Sequence, residues 1–379
     1  MSDNLQPSIL QVLPELNIGG IERGVVDLAI KMKEHNIRLI VASKGGKLVE
    51  KLEENGIEHF TLDLKSKNPL KIIANIAELK KLAQNQNVKI IHARSRAPAW
   101  SAYFAAKSLK TPFITSFHGF YRFNFPLKKA YNNVMTLGDT VIAVSEFIKK
   151  HIIKNYKIDE SKITVVHRGV DVDEFNPDLV SEAEVIEFKK QHRISDDKKI
   201  ILLPGRITRW KGHDVLVKAI KLVDRDNFIL AFAGNSGKNE DFLNEVKQLI
   251  IEKNLQKKVS FLGAINNMPL AYKAADIVVS SSVEPETFGR VSAEAGAMGR
   301  FVVATNHGGS TEIIDDGVTG FLTEISNEKD IAQKLVKALD KVENNNVFLE
   351  CRERICEHFS LNKMCDSNIK IYNKYYPFT

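Results

Sequence analysis

The chain has 379 residues, 44 % apolar and 27 % charged, an ordinary globular balance with length for two or three domains. Its +7 charge is uneven: residues 1–177 hold 26 Lys and Arg against 18 Asp and Glu, the remainder 28 against 29. A basic first half suits an anionic partner or surface, but no arginine-rich arm, zinc spacing or aromatic RNA-binding motif supports nucleic acid. Ile9 to Leu13 is the first predicted strand, followed by a glycine loop and a helix from about Glu22 to His35. Strands follow at Arg38–Ala42, His59–Leu62, Lys89–His92, Phe113–Ser116 and Thr140–Val144. Helical patterns between them imply a mostly parallel sheet. Ser145 reads as an N-cap.

Ile163 to Val166 closes this half, and RGVDVDEFNP at 168–177, rich in turn formers, looks like a linker. The rhythm restarts with strands at Ile200–Leu203, Phe228–Ala233, Val259–Leu262, Ile277–Ser280 and Phe301–Ala304. From about Ser326 the chain reads as two or three helices, one of them expected to cross back to the first domain. The expected division is a Rossmann-like first domain at 1–177, a second at 178–358, and a returning helix at 359–379. Two α/β domains of similar size imply a cleft, with ligands at the carboxyl ends of strands.

Five places in the sequence could carry chemistry. Gly19 and Gly20, in NIGGIER after the first strand, let a backbone approach a ligand at a helix start; a plain tight turn is the rival. In LPGRITRWKGHD, Arg206 and Lys211 flank a short loop after a strand, and two cations there suit a diphosphate. Arg209 reads as solvated and Trp210 as packing. In NHGGSTE, Gly308 and Gly309 precede Ser310, a plausible N-cap, and form another anion nest. His118 follows the fifth strand, beside Gly119, as a polar contact to a sugar or an acceptor, or as a satisfied loop histidine. In SSVEPETFGRVSAEA, Glu286 should sit on a loop and Glu294, eight residues later, two turns into a helix.

Two stretches leave less specific signals. FYRFNFPLKK at 120–129 sets four aromatics beside three cations; a lipid–water interface and packing inside the first domain are both open. Asp171 and Asp173 form a D-x-D pattern, read as turn chemistry in the linker, so no metal is expected. Three cysteines, Cys351, Cys356 and Cys365, match no metal spacing and fit reduced cytoplasmic thiols. The N-terminal residues lack a signal-peptide pattern, and no run is long enough to span a bilayer.

The chain resembles retaining glycosyltransferases of family 4, with the two-domain GT-B fold. The resemblance rests on GGIER at 19–23, FHGF at 117–120, VSEFIKK at 144–150, RGVDVDEF at 168–175, GRITRWKG at 205–212, FLG at 261–263, EPETFGRVSAEA at 284–295 and GGSTEIIDDGVTGFL at 308–322. It implies that Gly19, Gly20, Arg206 and Lys211 bind the donor diphosphate, that Glu286 holds hydroxyls of the transferred sugar, and that Glu294 holds the ribose. It places His118 near the reacting centre, Gly263 at the start of the base-contacting loop, and the amides of His307, Gly308, Gly309, Ser310 and Thr311 along sugar and phosphate. Pro285 and Arg168 depart from the family's usual residues without removing a carboxylate or cation.

The implied reaction moves a hexose from GDP-mannose or a UDP-sugar, with no cofactor and no metal, to a lipid-linked or cell-surface glycan such as lipopolysaccharide core. The expected place of work is the cytoplasm, peripheral to the inner face of the cytoplasmic membrane, with an anionic membrane surface as a partner. A non-catalytic sugar-nucleotide-binding protein and a GT-B epimerase or phosphorylase are the rivals.

Overall fold

The computed structural model describes residues 5–17, 19–121, 123, 126–344 and 347–378. They form two units, residues 1–169 with 361–379, and residues 170–360. The first unit begins with β1 (Ser8–Val12), α1 (Gly20–Glu34), β2 (Arg38–Ser43), α2 (Val49–Glu54), β3 (His59–Thr61), α3 (Pro69–Asn85) and β4 (Val88–Ala93). It continues with α4 (Arg96–Leu109), β5 (Phe113–Phe117), α5 (Pro126–Asn132), β6 (Thr140–Ala143), α6 (Glu146–Asn155) and β7 (Ile163–Val165). The sheet order is β3-β2-β1-β4-β5-β6-β7, and every pairing is parallel. Buried apolar residues on both faces explain this: parallel strands covered by helices need apolar runs rather than alternation. In α1 the buried Val25, Val26, Leu28, Ala29 and Met32 make one helical stripe. Ser145 caps α6, its hydroxyl accepting from the Ile148 amide at 3.1 Å.

The second unit contains α7 (Glu182–Gln191), β8 (Lys199–Pro204), α8 (His213–Lys221), β9 (Phe228–Ala233), α9 (Glu240–Glu252), β10 (Val259–Gly263) and α10 (Met268–Ala274). After these come β11 (Ile277–Ser280), α11 (Arg290–Ala297), β12 (Phe301–Thr305), α12 (Ser310–Ile313), β13 (Gly320–Thr323), α13 (Glu328–Asn344) and α14 (Phe348–His358). Its sheet runs β10-β9-β8-β11-β12-β13, again parallel. Each sheet reverses its winding once, between β1 and β4 and between β8 and β11, and such switch points open a crevice at the carboxyl ends of the strands. The last helix, α15 (Leu361–Asn373), returns to the first unit. Its Leu361, Met364, Cys365, Ile371 and Tyr372 join the core around α1.

The stretch that looks like a linker behaves otherwise from Val170 onward. Val170 and Phe175 are buried in the second unit's core. The Arg352 guanidinium donates to the Val172 and Phe175 carbonyls at 3.1 and 2.8 Å. Turn-forming composition hid two apolar anchors. In the aromatic–basic stretch, Arg122, Asn124 and Phe125 lie outside the described residues. Tyr121 and Phe123 pack against the first unit's core, and Phe120 stacks on Phe147, ring centroids 5.9 Å apart. The described aromatics thus point to packing. No helix among the described residues is long and apolar enough to cross a membrane.

Candidate active site

The loop after β8 carries the strongest cations of the sequence, and backbone contact places them. Gly212 has φ +70°, and a Cβ there would lie 2.1 Å from the Ser281 carbonyl oxygen. A glycine therefore lets the loop after β8 touch the loop after β11. Ser281 Oγ donates to the carbonyls of Lys211 (3.0 Å) and Gly212 (3.2 Å). The Val283 amide donates to the Trp210 carbonyl at 2.8 Å. These bonds deliver Lys211 to Glu286.

Lys211 Nζ donates to Glu286 Oε1 at 2.7 Å, and both side chains are only 12 % exposed. Ser282 Oγ (2.7 Å) and Ser280 Oγ (3.3 Å) donate to the same oxygen. Burial pulls the Glu286 carboxyl upward, but the Lys211 ammonium and the hydroxyls outweigh it and hold the group below its ordinary value. Glu286 is therefore an anion at neutral pH. The Lys211 ammonium also lies 4.4 Å from the centre of the Trp210 ring. Arg206 is exposed. Arg209 turns outward, over Phe242 and to Glu245.

The loop after β12 is tied to the same place. Gly308 has φ +67°, and a Cβ there would lie 2.3 Å from the Glu286 carbonyl oxygen; at Gly309 it would meet the Phe288 carbonyl oxygen at 2.4 Å. The Gly309 amide donates to the Glu286 carbonyl at 2.8 Å. His307 Nε2 donates to the Ser282 carbonyl at 2.7 Å, which fixes its tautomer. Thr311 Oγ1 donates to the Gly308 carbonyl at 2.9 Å. Ser310 is not the cap expected: Gly309 holds that position, Ser310 is the first residue of α12, and its side chain makes no cap bond.

Glu294 lies in α11 and is 8 % exposed. It stands little more than one turn from the helix start at Arg290, not two, because Gly289 at φ +94° delays the helix. The Tyr272 hydroxyl donates to Glu294 Oε2 at 3.0 Å, and Arg290 Nε donates to Oε1. Burial and the Glu294 charge push the Tyr272 phenol well above its ordinary value, so it remains a donor. A carboxylate has about four lone-pair sites, so Glu294 retains capacity for ligand hydroxyls.

The remaining expected residues are dispersed. Gly263 ends β10 at φ +72°, beside Phe261, whose ring meets Phe232 edge-on at 5.4 Å. In the first unit, Gly19 precedes α1 in an extended conformation (φ −167°), and Gly20 is the first residue of that helix. The Glu22 carboxylate folds against Gly19, where a Cβ would lie 2.2 Å from Oε2. His118 directly follows β5 and is 5 % exposed, with Arg168 Nη2 donating to its carbonyl at 3.2 Å. Burial, then Arg94, Arg168 and His92, drive the His118 pKa well below its ordinary value, so the ring is neutral. Asp171 Oδ1 accepts from the amides of Asp173 and Glu174, both at 3.1 Å, in a turn.

Sequence reasoning passed over the groups that hold the two glutamates. Ser280 and Ser282 stand in the quoted stretch itself. Arg290 is at the i, i+4 spacing from Glu294, a legible helix pair. Tyr272 reaches Glu294 from α10, and nothing local in the sequence announces it.

Two parallel doubly wound sheets, with a buried ammonium–carboxylate pair across a switch point, define a GT-B-type transferase architecture. Residues 18–174 match the Glycosyltransferase Family 4 model, and residues 184–353 match that of Glycosyl transferases group 1. An uncharacterized glycosyltransferase of Methanocaldococcus jannaschii is 31 % identical over 290 residues, covering 72 % of this chain and 73 % of that protein. The crystal structure of a glycosyltransferase from Rickettsia africae ESF-5 is 38 % identical, with TM-score 0.90, covering 98 % and 99 % of the two chains. Anabaena HepE, solved with UDP-glucose, shares the fold at TM-score 0.82 and 20 % identity, over 97 % and 99 %. The chain belongs to the GT-B glycosyltransferases related to family 4.

Proposed function

We propose that the chain transfers a hexose from a nucleoside-diphosphate sugar, GDP-mannose or a UDP-sugar, with retention at the anomeric carbon. The observation that carries this reading is the Lys211–Glu286 pair at 2.7 Å, with Arg206 on the same loop. Arg206 and Lys211 hold the diphosphate, and with the amides at Gly308, Gly309, Ser310 and Thr311 they stabilise the charge that grows on it as the C1–O bond breaks. Glu286 anchors sugar hydroxyls, Glu294 the ribose, and the loop at Gly263 the base. The acceptor hydroxyl attacks C1 from the face the diphosphate leaves. Its proton passes to the departing phosphate oxygen, and no side chain becomes a nucleophile. Gly19 and Gly20 offer their backbone to the same diphosphate, His118 lies near the reacting centre, and the first unit is the acceptor-side domain.

For the acceptor we infer a lipid-linked or cell-surface glycan such as lipopolysaccharide core, met from the cytoplasmic face of the membrane. The basic first half supports this, as do the exposed Leu70, Ile73 and Leu127 on α3 and α5 beside Lys71, Lys128 and Lys129. HepE's ligand makes UDP-glucose the first donor to try. The test is a thermal-shift panel of UDP, GDP and their sugars, followed by acceptor screening for release of free nucleoside diphosphate, in chelator and without it. Stabilisation by one nucleotide, release on adding acceptor, survival in chelator and an α-linked product from an α-linked donor are expected. No shift with any nucleotide, or release without an acceptor, would sink the reading.

A further inference from the structure

Arg94 follows β4 and is 4 % exposed. Among the described residues no hydrogen bond or ion pair involves its side chain, and its Nε is buried without a partner. Burial lowers its pKa to about 10, the Tyr372 phenol acting the other way, so it still carries its charge at neutral pH. Most of the polar groups around it are occupied with one another, Gln11 Oε1 being a buried acceptor without a partner. His92 bonds to the Tyr372 hydroxyl (2.8 Å) and to Ser116 Oγ (2.7 Å), and Gln11 Nε2 donates to Tyr372 at 3.2 Å. The nearby Arg96 is also engaged, donating to Asn132 Oδ1 at 2.8 Å and lying over the Tyr121 ring.

The charges acting on this corner share one sign. Arg94, Arg168 and His92 all disfavour a proton on His118, and Arg94 disfavours one on His92; no carboxylate is among the groups acting on either ring. A buried charge is normally paired or neutralised, and a guanidinium cannot be neutralised in this range. No described side chain supplies that counter-charge, and a ligand could. α4 starts two residues later behind Ser95, whose side chain makes no cap bond, so its first amides are turned toward the same strand end.

We infer that Arg94, beside His118 and Arg168, is the anchor for a phosphate group on the acceptor. The inference rests on the transferase reading only for the word acceptor, since that reading gives the donor's phosphates to Arg206, Lys211 and glycine backbone, and not to Arg94. Arg94 offers a phosphate a planar fork, and His118 gains proton affinity when the anion arrives. The phosphate belongs either to a soluble sugar phosphate or to a phosphorylated lipid-linked glycan.

The experiment is a titration of inorganic phosphate, at constant ionic strength against chloride, into wild type, Arg94→Met and Arg94→Lys. It is run with the nucleotide selected by the panel at saturation, and again without nucleotide; failure of nucleotide binding then leaves the phosphate result readable. Wild type should bind phosphate and melt higher with it. Arg94→Met should bind at least about tenfold more weakly, keep its nucleotide affinity, and melt no lower than wild type without phosphate, because an uncompensated buried charge has gone. Arg94→Lys, which keeps the charge but not the fork, should bind more weakly than wild type and more tightly than Arg94→Met. A second arm uses vesicles of phosphatidic acid in phosphatidylcholine: binding that depends on Arg94 there assigns the phosphate to a lipid, and dependence on Arg94 for inorganic phosphate alone assigns it to a soluble acceptor. Phosphate binding unchanged in Arg94→Met, none in wild type, or a phosphate-free Arg94→Met that melts lower or fails to fold would overturn the inference.

Discussion

Lys211 and Arg94 are both buried cations at the ends of parallel strands, under opposite conditions. Lys211 lies on Glu286, which also takes the Ser280 and Ser282 hydroxyls; Arg94 has no such partner among the described residues, and its charge disfavours a proton on both His92 and His118. A compensated pair costs little to keep buried and stands ready to exchange partners when a ligand arrives. An uncompensated charge costs stability until the ligand comes. The second unit thus carries its charge balance within itself, while the corner of the first leaves its balance open.

The largest expected effect follows from breaking the balanced side. Lys211→Ala leaves Glu286 buried without its ammonium and should cost about 3–5 kcal/mol in denaturant unfolding, opposite in sign to Arg94→Met. Equal shifts in the same direction would erase the contrast. Next, Arg206→Ala should cost roughly 2–4 kcal/mol at the transition state in steady-state kinetics, with the melting temperature unchanged because the side chain is exposed.

The carboxylates sharpen the balanced side further. Glu286→Gln should lower turnover with intact donor by about 10²-fold while free nucleoside diphosphate binds nearly as before. Glu294→Gln should weaken free diphosphate about tenfold, since ribose is present in both ligands. Calorimetry with diphosphate separates them, and equal losses would contradict the division of roles.

The smallest expected effect is a change in the pH slope of stability. His92 and His118 are held neutral, below the ordinary 6.5. Below pH 6.5 the unfolded chain takes up protons that the folded chain refuses, so stability is full above that pH and falls as pH drops toward the folded values. Each ring contributes up to about 1.4 kcal/mol per pH unit. Arg94→Met removes one cause at both rings and should make the fall between pH 6.5 and 5 shallower. His213, lowered to about 4 by burial, should titrate as before. An unchanged slope would detach Arg94 from the two histidines.

The apolar runs were enough to place most strands within a residue, because strands buried on both faces have no alternation to misread. β13 escaped: GFLT is four residues long, opens with glycine and follows the turn at Asp315–Gly317, so it lacks the length to show a period. The glutamates and the cations of the loop after β8 were legible because their spacing is local. Arg94 was not: an arginine in HARSRAPAW reads as surface, and only the fold, which brings Tyr372 of α15 near it, shows it to be buried. The return of α15 to the first unit was expected, but not which residues of that unit it covers. The same holds for Val170 and Phe175, apolar anchors inside a run of turn formers.

The return of α15 also sets an order of events during synthesis. Tyr372 accepts from Gln11 and bonds to His92, and Leu361, Met364 and Ile371 cover α1 and its neighbours, yet residues 170–360 are made in between. At ~5–20 residues per second the ribosome spends roughly 10–40 s on that stretch. Throughout that delay the nascent first unit has an apolar strip uncovered and two buried polar side chains waiting for their phenol. The second unit, continuous in sequence, has every piece it needs as soon as it emerges. The part made first is therefore the part completed last, and in that interval it is the natural client of a chaperone.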